Sequence, residues 1–228
     1  MNDVQGANES NTQDTIRKMY DHLWNAYGPQ HWWPADSPAQ VVIGAILTQN
    51  TSWTNVERAI ENLRTAKCLD WTALRETPVE RLAELIRSAG TYRVKALRLK
   101  AFVDYLWKRH GGDLDDMLSG ELEEARRRLL SIHGIGPETA DAILLYAGGR
   151  PTFVVDAYTK RILRRHFVID QHASYQHVRS LFLGALPGDV QMFNEYHALL
   201  VTVGKRHCRS HAECDGCPLY DLPHDASL

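Results

Sequence analysis

The segment that most restricts the fold is LLSIHGIGPETADAILLYA, residues 129–147. An apolar helical stretch ends near His133. The glycines of Gly134-Ile135-Gly136 are free to take positive φ and turn the chain tightly, and Pro137 opens a second helix. On that second helix Ala140, Ile143, Leu144 and Ala147 repeat at i, i+3, i+4 and i+7, one apolar stripe. The product is a helix-hairpin-helix. Backbone N–H groups of the turn and of the following helix start, with the positive end of a helix dipole behind them, suit a phosphate. Taken alone, Gly-x-Gly between helices fits a plain tight turn equally well.

The rest of the chain carries the same period. Leu82, Leu85, Ile86 and Ala89 form another helical stripe. Ser37-Pro38 and Thr77-Pro78 read as helix starts, and Thr77 with Glu80 makes a capping box. About ten helices are predicted. Thr152 to Val155, the one β-branched run, is short and follows a Gly-Gly-Arg-Pro turn, so it reads as a loop. Residues 1–13 hold little to bury and read as a disordered tail. The predicted class is all-α.

Lys plus Arg total 26 against 28 Asp plus Glu, a formal charge of −2, so any polyanion-binding surface has to be local. Four basic clusters are candidates: Arg93, Lys95, Arg98 and Lys100; Arg126 to Arg128; Lys160, Arg161, Arg164 and Arg165; and Lys205, Arg206 and Arg209. No apolar run is long enough to span a bilayer, and the polar N-terminus lacks the apolar core of a secretion signal, which predicts a cytoplasmic protein without a membrane partner. Cys208, Cys214 and Cys217 crowd near the C-terminus, a spacing that points to a metal site rather than a disulfide scaffold. Cys68 stands apart and reads as a small buried hydrophobe.

GIGPETADAILLYA followed by PTFVVDAYTKRIL, with IGAILTQNTSWTNVERAIENL and SAGTYRVKALRLKAF upstream, resembles the HhH-GPD superfamily of base-excision DNA glycosylases related to endonuclease III. The resemblance covers nearly all of residues 14–218. It implies a two-lobed all-α fold: a six-helix barrel lobe over 38–150 ending in the hairpin, and a second helical lobe of 14–37 plus 151–228, with damaged double-stranded DNA in the cleft of a monomer. It places the catalytic aspartate at Asp156, whose bland alternative is to cap the next helix. It assigns duplex contacts to Gln49, Asn50, Gly134, Ile135, Gly136 and Thr139.

Glu138 stands where bifunctional members carry the Schiff-base lysine, so no amine nucleophile is available there. Glu138 together with HWWP at 31–34 is most similar to the monofunctional 3-methyladenine DNA glycosylase branch. On that resemblance Trp32, Trp33, Pro34, Trp53, Glu138 and Lys205 line the base pocket, whereas Trp24, Trp71 and Trp107 fill core space. A cationic alkylated purine would gain cation–π attraction on such aromatic faces. The implied reaction is hydrolysis of the N-glycosidic bond of alkylated purines after base flipping. The alternatives are endonuclease III-like action on oxidised pyrimidines with weak lyase activity, and a non-catalytic binder of DNA structure.

Cys208-x5-Cys214-x2-Cys217 resembles the family's iron–sulfur loop, Cys-x6-Cys-x2-Cys-x5-Cys, with two departures. The first gap is one residue short, and the fourth position falls on Pro223. His224, His207 or His211 are the nearby substitutes. A [4Fe-4S] cluster, zinc and no metal all remain open.

Overall fold

The computed structural model describes residues 2–32 and 35–228, so Trp33 and Pro34, two predicted pocket residues, lie outside the described residues. Among the described residues the regular structure is helical: twelve α-helices, one 3-10 turn and one π turn, with a lone bridge between Cys208 and Ala212 and no strand. The chain divides into two compact units, Met1–Trp32 with Pro151–Leu228, and Trp33–Arg150.

Helix α1 (Asn2–Tyr27) enters the segment whose composition reads as a tail. Its inner face buries Ile16, Met19 and Leu23 completely, and once that part is fixed, extending a helix backwards costs little per residue.

In the unit Trp33–Arg150 the centre is α2 (Pro38–Leu47), apolar all round and buried from Gln40 to Leu47. Ser37 starts it as predicted, its hydroxyl accepting from the Gln40 N–H at 3.3 Å. Around α2 follow α3 (Trp53–Thr65), α4 (Trp71–Glu76), α5 (Val79–Leu85), α6 (Tyr92–His110), α7 (Leu114–Leu118) and α8 (Leu122–Leu130). Then comes α9 (Pro137–Ala142), continued by the π turn Ile143–Ala147. Fully buried residues such as Ile43, Ile46, Phe102 and Leu144 make this core, each contributing about 1.5–3 kcal/mol. The predicted Thr77 capping box does not form. Thr77 instead donates its hydroxyl to the Ala73 carbonyl at 2.7 Å, closing α4, and α5 begins without a side-chain cap.

In the other unit, residues 152–155 form the expected loop, but a buried one. Phe153 stacks on Phe182 at 3.7 Å between ring centroids, nearly parallel. The loop feeds α10 (Ala157–Arg165), followed by α11 (Tyr175–Ala185) and α12 (Val190–Arg206). At Gly204 a Cβ would come within 2.4 Å of the Tyr158 ring, so this glycine lets α12 pack closely on α10.

Candidate active site

The hairpin forms between α8 and α9, and its two glycines do different work. Gly134 has φ +87°, and a Cβ there would sit 2.3 Å from Arg98 Cγ. Gly136 has φ −92° and ψ 177°, ordinary extended backbone, so the expectation of positive φ holds for Gly134 alone. A Cβ at Gly136 would meet nothing within 4 Å; no atom of the chain demands glycine there. Helix α9 starts at Gly136 with no side-chain cap, and Pro137 fills its first position, where a backbone N–H is not needed.

Buried bonds hold this geometry. Arg126 of α8 meets Asp141 of α9 with Nε and Nη2 at 3.0 to 3.1 Å from the carboxylate, both residues under 10% exposed. Ile135 is buried at the bend. Gln49, expected to push into the duplex, is committed to the hairpin: its Nε2 donates to Gly134 O at 3.1 Å and to Thr139 Oγ1 at 2.9 Å, and Arg98 donates to its Oε1. Thr139 is itself buried, so any contact it offers outward is through the backbone. Asn50 is the exposed tip, held at φ +53°. Lys95 is buried and closes the base of this loop, donating to Leu47 O at 2.8 Å and Ala89 O at 2.6 Å. Burial, aided by the Arg98 charge, lowers its pKa to about 8.

Asp156 is the N-cap of α10. Its Oδ1 accepts from Thr159 N at 2.7 Å and from Thr159 Oγ1 at 2.8 Å. Its Oδ2 lies 3.7 Å from Nε2 of His197, and the Asp156 side chain is 15% exposed. Burial raises the carboxyl pKa, but the His197 interaction and the two Thr159 bonds outweigh it, so the group is held below the ordinary carboxylate value. The capping alternative is therefore realised together with partial exposure, and the one role does not exclude the other.

His197 was not legible as a site residue. It sits mid-α12, 5% exposed, with Trp32 and Phe153 edge-on to its ring at 6.3 and 6.4 Å. Two residues earlier Glu195 accepts from the N–H groups of Gln30 at 2.5 Å and His31 at 3.1 Å, which fixes the loop that ends in Trp32. Two titratable residues inside the apolar run of α12 were the available signal. Lys205, further along α12, holds its ammonium 5.7 Å from the centre of the Trp32 ring. Asp156, His197, Trp32 and Lys205 thus gather in one unit. Trp53 and Glu138 belong to the other unit, Trp53 lining a groove with Gln40, Glu57 and Arg64, and Glu138 exposed in the first turn of α9. Trp71 packs on Phe102 and Trp107 lies under Arg75, but both are only half-buried and neither joins the fully buried core.

The basic clusters divide between the interior and the surface. Lys95, Arg126 and Arg165 are buried, and Lys100 binds Leu74 O and Arg75 O. Arg93, Arg127, Lys205, Arg206 and Arg209 are exposed.

Cys208, Cys214 and Cys217 line one pocket with His166, His207 and His224. Cys68 is elsewhere, buried beside Thr77. Burial and the neighbouring Cys214 and Cys208 raise the Cys217 thiol, while the Leu219 N–H opposes this; three thiolates here need a cation. Arg165 donates to Cys208 Sγ at 3.1 Å, Arg209 O and Ser210 O, and Arg161 to Cys208 O. His224 donates through Nδ1 to Leu222 O, 2.8 Å away. Among the described residues no three such side chains converge on a single point, so a metal centre is not shown. The donor set of soft sulfurs and imidazoles nevertheless fits a cluster or zinc.

Residues 43–187 match the model of the HhH-GPD superfamily base excision DNA repair proteins. The Methanocaldococcus jannaschii protein MJ1434, assigned by name to the DNA repair glycosylases, is 46% identical over 216 residues, 94% of this chain and 98% of that protein. Endonuclease III in a non-covalent complex with DNA superposes with a TM-score of 0.80 at 22% identity, over 92% of this chain and 94% of that one. The Helicobacter pylori 3-methyladenine DNA glycosylase bound to 1,N6-ethenoadenine gives 0.71 at 25% identity, over 86% and 97%. With its hairpin, its capping aspartate and this match over most of its length, the chain belongs to the HhH-GPD superfamily of base excision DNA repair proteins.

Proposed function

We propose that this DNA glycosylase is monofunctional and hydrolyses the N-glycosidic bond of a nucleotide flipped from duplex DNA, with Asp156 as its catalytic carboxylate. One observation carries the reading: a largely buried carboxylate, its side chain 15% exposed and its pKa held below the ordinary value, with Oδ1 fixed by Thr159 and Oδ2 3.7 Å from His197 Nε2. Such a group stabilises an oxocarbenium-like sugar. Glu138 offers no amine, so borohydride should trap no protein–DNA adduct. Asp156→Asn keeps a cap acceptor but removes the charge; single-turnover excision should fall about 10²–10³-fold with duplex affinity retained. Undiminished excision removes the assignment.

The lesion on this reading is an alkylated purine of the 3-methyladenine type, supported by Glu138 and by the likeness to the H. pylori enzyme. A second reading is favoured by Lys205. A cation already faces the Trp32 ring at 5.7 Å, which makes a neutral damaged base, such as an oxidised pyrimidine, the better occupant of that face. Incubating single-lesion duplexes of both kinds and identifying the released bases by mass decides between them. The cysteine pocket, on this proposal, holds a [4Fe-4S] cluster through Cys208, Cys214 and Cys217 with His224 as fourth ligand, in a structural role. Absorbance near 400 nm with bound iron is expected; zinc, or neither metal, overturns it.

A further inference from the structure

Gln49 and Asn50 are neighbours in one turn, and the chain uses them differently. Thr51 N donates to Thr48 O at 3.2 Å, and Asn50, third in this four-residue turn, takes φ +53°, a conformation asparagine tolerates better than most side chains. Asn50 is exposed at the tip, whereas Gln49 is bonded at both ends of its amide. Its Nε2 gives both protons away, to Gly134 O at 3.1 Å and Thr139 Oγ1 at 2.9 Å, and its Oε1 accepts from Nη1 of Arg98. The partners sit on three segments: the hairpin bend, the first turn of α9, and α6. Arg98 in turn lies along the open face of Gly134, where a Cβ would meet its Cγ at 2.3 Å. Turning Gln49 outward would break all three bonds and leave the Gly134 carbonyl and the buried Thr139 without this donor. Lys95 anchors the residue before the turn, at Leu47 O, and all of these residues belong to the unit Trp33–Arg150.

We infer that Gln49 is a positioning residue, which fastens the Thr48–Thr51 turn to the hairpin and leaves Asn50 as the side chain that enters the space vacated by a flipped nucleotide. The inference rests on the reading above that this chain flips a nucleotide out of duplex DNA. On it, the turn tip and the hairpin backbone meet the duplex as one body, because a single amide joins them and Arg98 holds that amide from behind. Asn50 reaches outward from the tip, whereas Gln49 would have to give up three bonds to do so.

The test uses the full-length protein and a duplex carrying a tetrahydrofuran abasic analogue opposite 2-aminopurine. Anisotropy reads affinity, and the 2-aminopurine fluorescence at saturation reads whether a side chain enters the gap. Asn50→Ala should lose the fluorescence change at saturation. Gln49→Ala should bind about tenfold more weakly yet keep the full change once saturated. Measured in an Arg98→Ala background, that loss of affinity should shrink to about twofold, because the two side chains act as one unit. Gln49→Glu keeps an acceptor for Arg98 but sets a carboxylate oxygen against Gly134 O, and should bind no better than Gln49→Ala. A fluorescence change lost in saturated Gln49→Ala, or kept in Asn50→Ala, overturns the inference. So does a Gln49→Ala loss of equal size with and without Arg98. A wild type that binds this duplex with no fluorescence change overturns it without any variant, whereas one that gives the change but releases no damaged base overturns the glycosylase reading alone.

Discussion

The starts of α9 and α10 are finished in opposite ways. Helix α9 opens on a glycine with no side-chain cap, while α10 is closed by Asp156 at Thr159 N. The closed start uses backbone and side-chain donors of Thr159 to fix a carboxylate of the chain itself, the group to which the proposal above gives the chemistry. Their supports differ too: a buried Arg126–Asp141 pair secures the first, and a histidine faces the carboxylate of the second.

Arg126→Met should be the most damaging change. It leaves Asp141 buried without its guanidinium, at a cost of about 3–5 kcal/mol in denaturant unfolding. A loss below about 1 kcal/mol would mean that the pair does not secure the hairpin. Gly134→Ala should cost about 1–2 kcal/mol for positive φ alone, with duplex affinity falling as Arg98 and Gln49 shift. Gly136→Ala sharpens the contrast: stability should stay within about 0.5 kcal/mol while affinity, read by fluorescence anisotropy, drops. Unchanged affinity would argue that no backbone group approaches there. The smallest effect concerns acid. Because the folded pKa of Asp156 is lowered, its stabilisation is complete above the unfolded value and lost as pH falls through the folded one. The stability gap between wild type and Asp156→Asn should therefore persist at neutral pH and shrink only below the ordinary carboxylate range. A gap unchanged in strong acid contradicts this.

The hairpin and Asp156 were readable because glycine, proline and a capping acid mark the backbone locally, where sequence is most informative. Buried charge was harder. Lys95, Arg126 and Arg165 read as surface clusters, yet Lys95 shares a helical stripe with Leu99, Phe102 and Leu106, and Arg126 lies beside Ala125 and Leu129 on the apolar face of α8. The period was visible; the carbonyls and carboxylate that satisfy these cations come from distant residues. His197 was hidden for the same reason, since its meaning depends on a partner 41 positions away. Gly136 misled in the other direction, because a glycine can serve an approaching ligand as well as a bend.

Helix α10 bears Asp156 at its head and, at its tail, the arginine that grips Cys208 Sγ and two carbonyls of the cysteine loop. Nine helical residues make a stiff rod of about 13 Å. Whatever occupies the loop thus pulls on one end of a lever whose other end is the Asp156 carboxylate, and oxidation or unravelling of those sulfurs would be felt as a shift of that carboxylate.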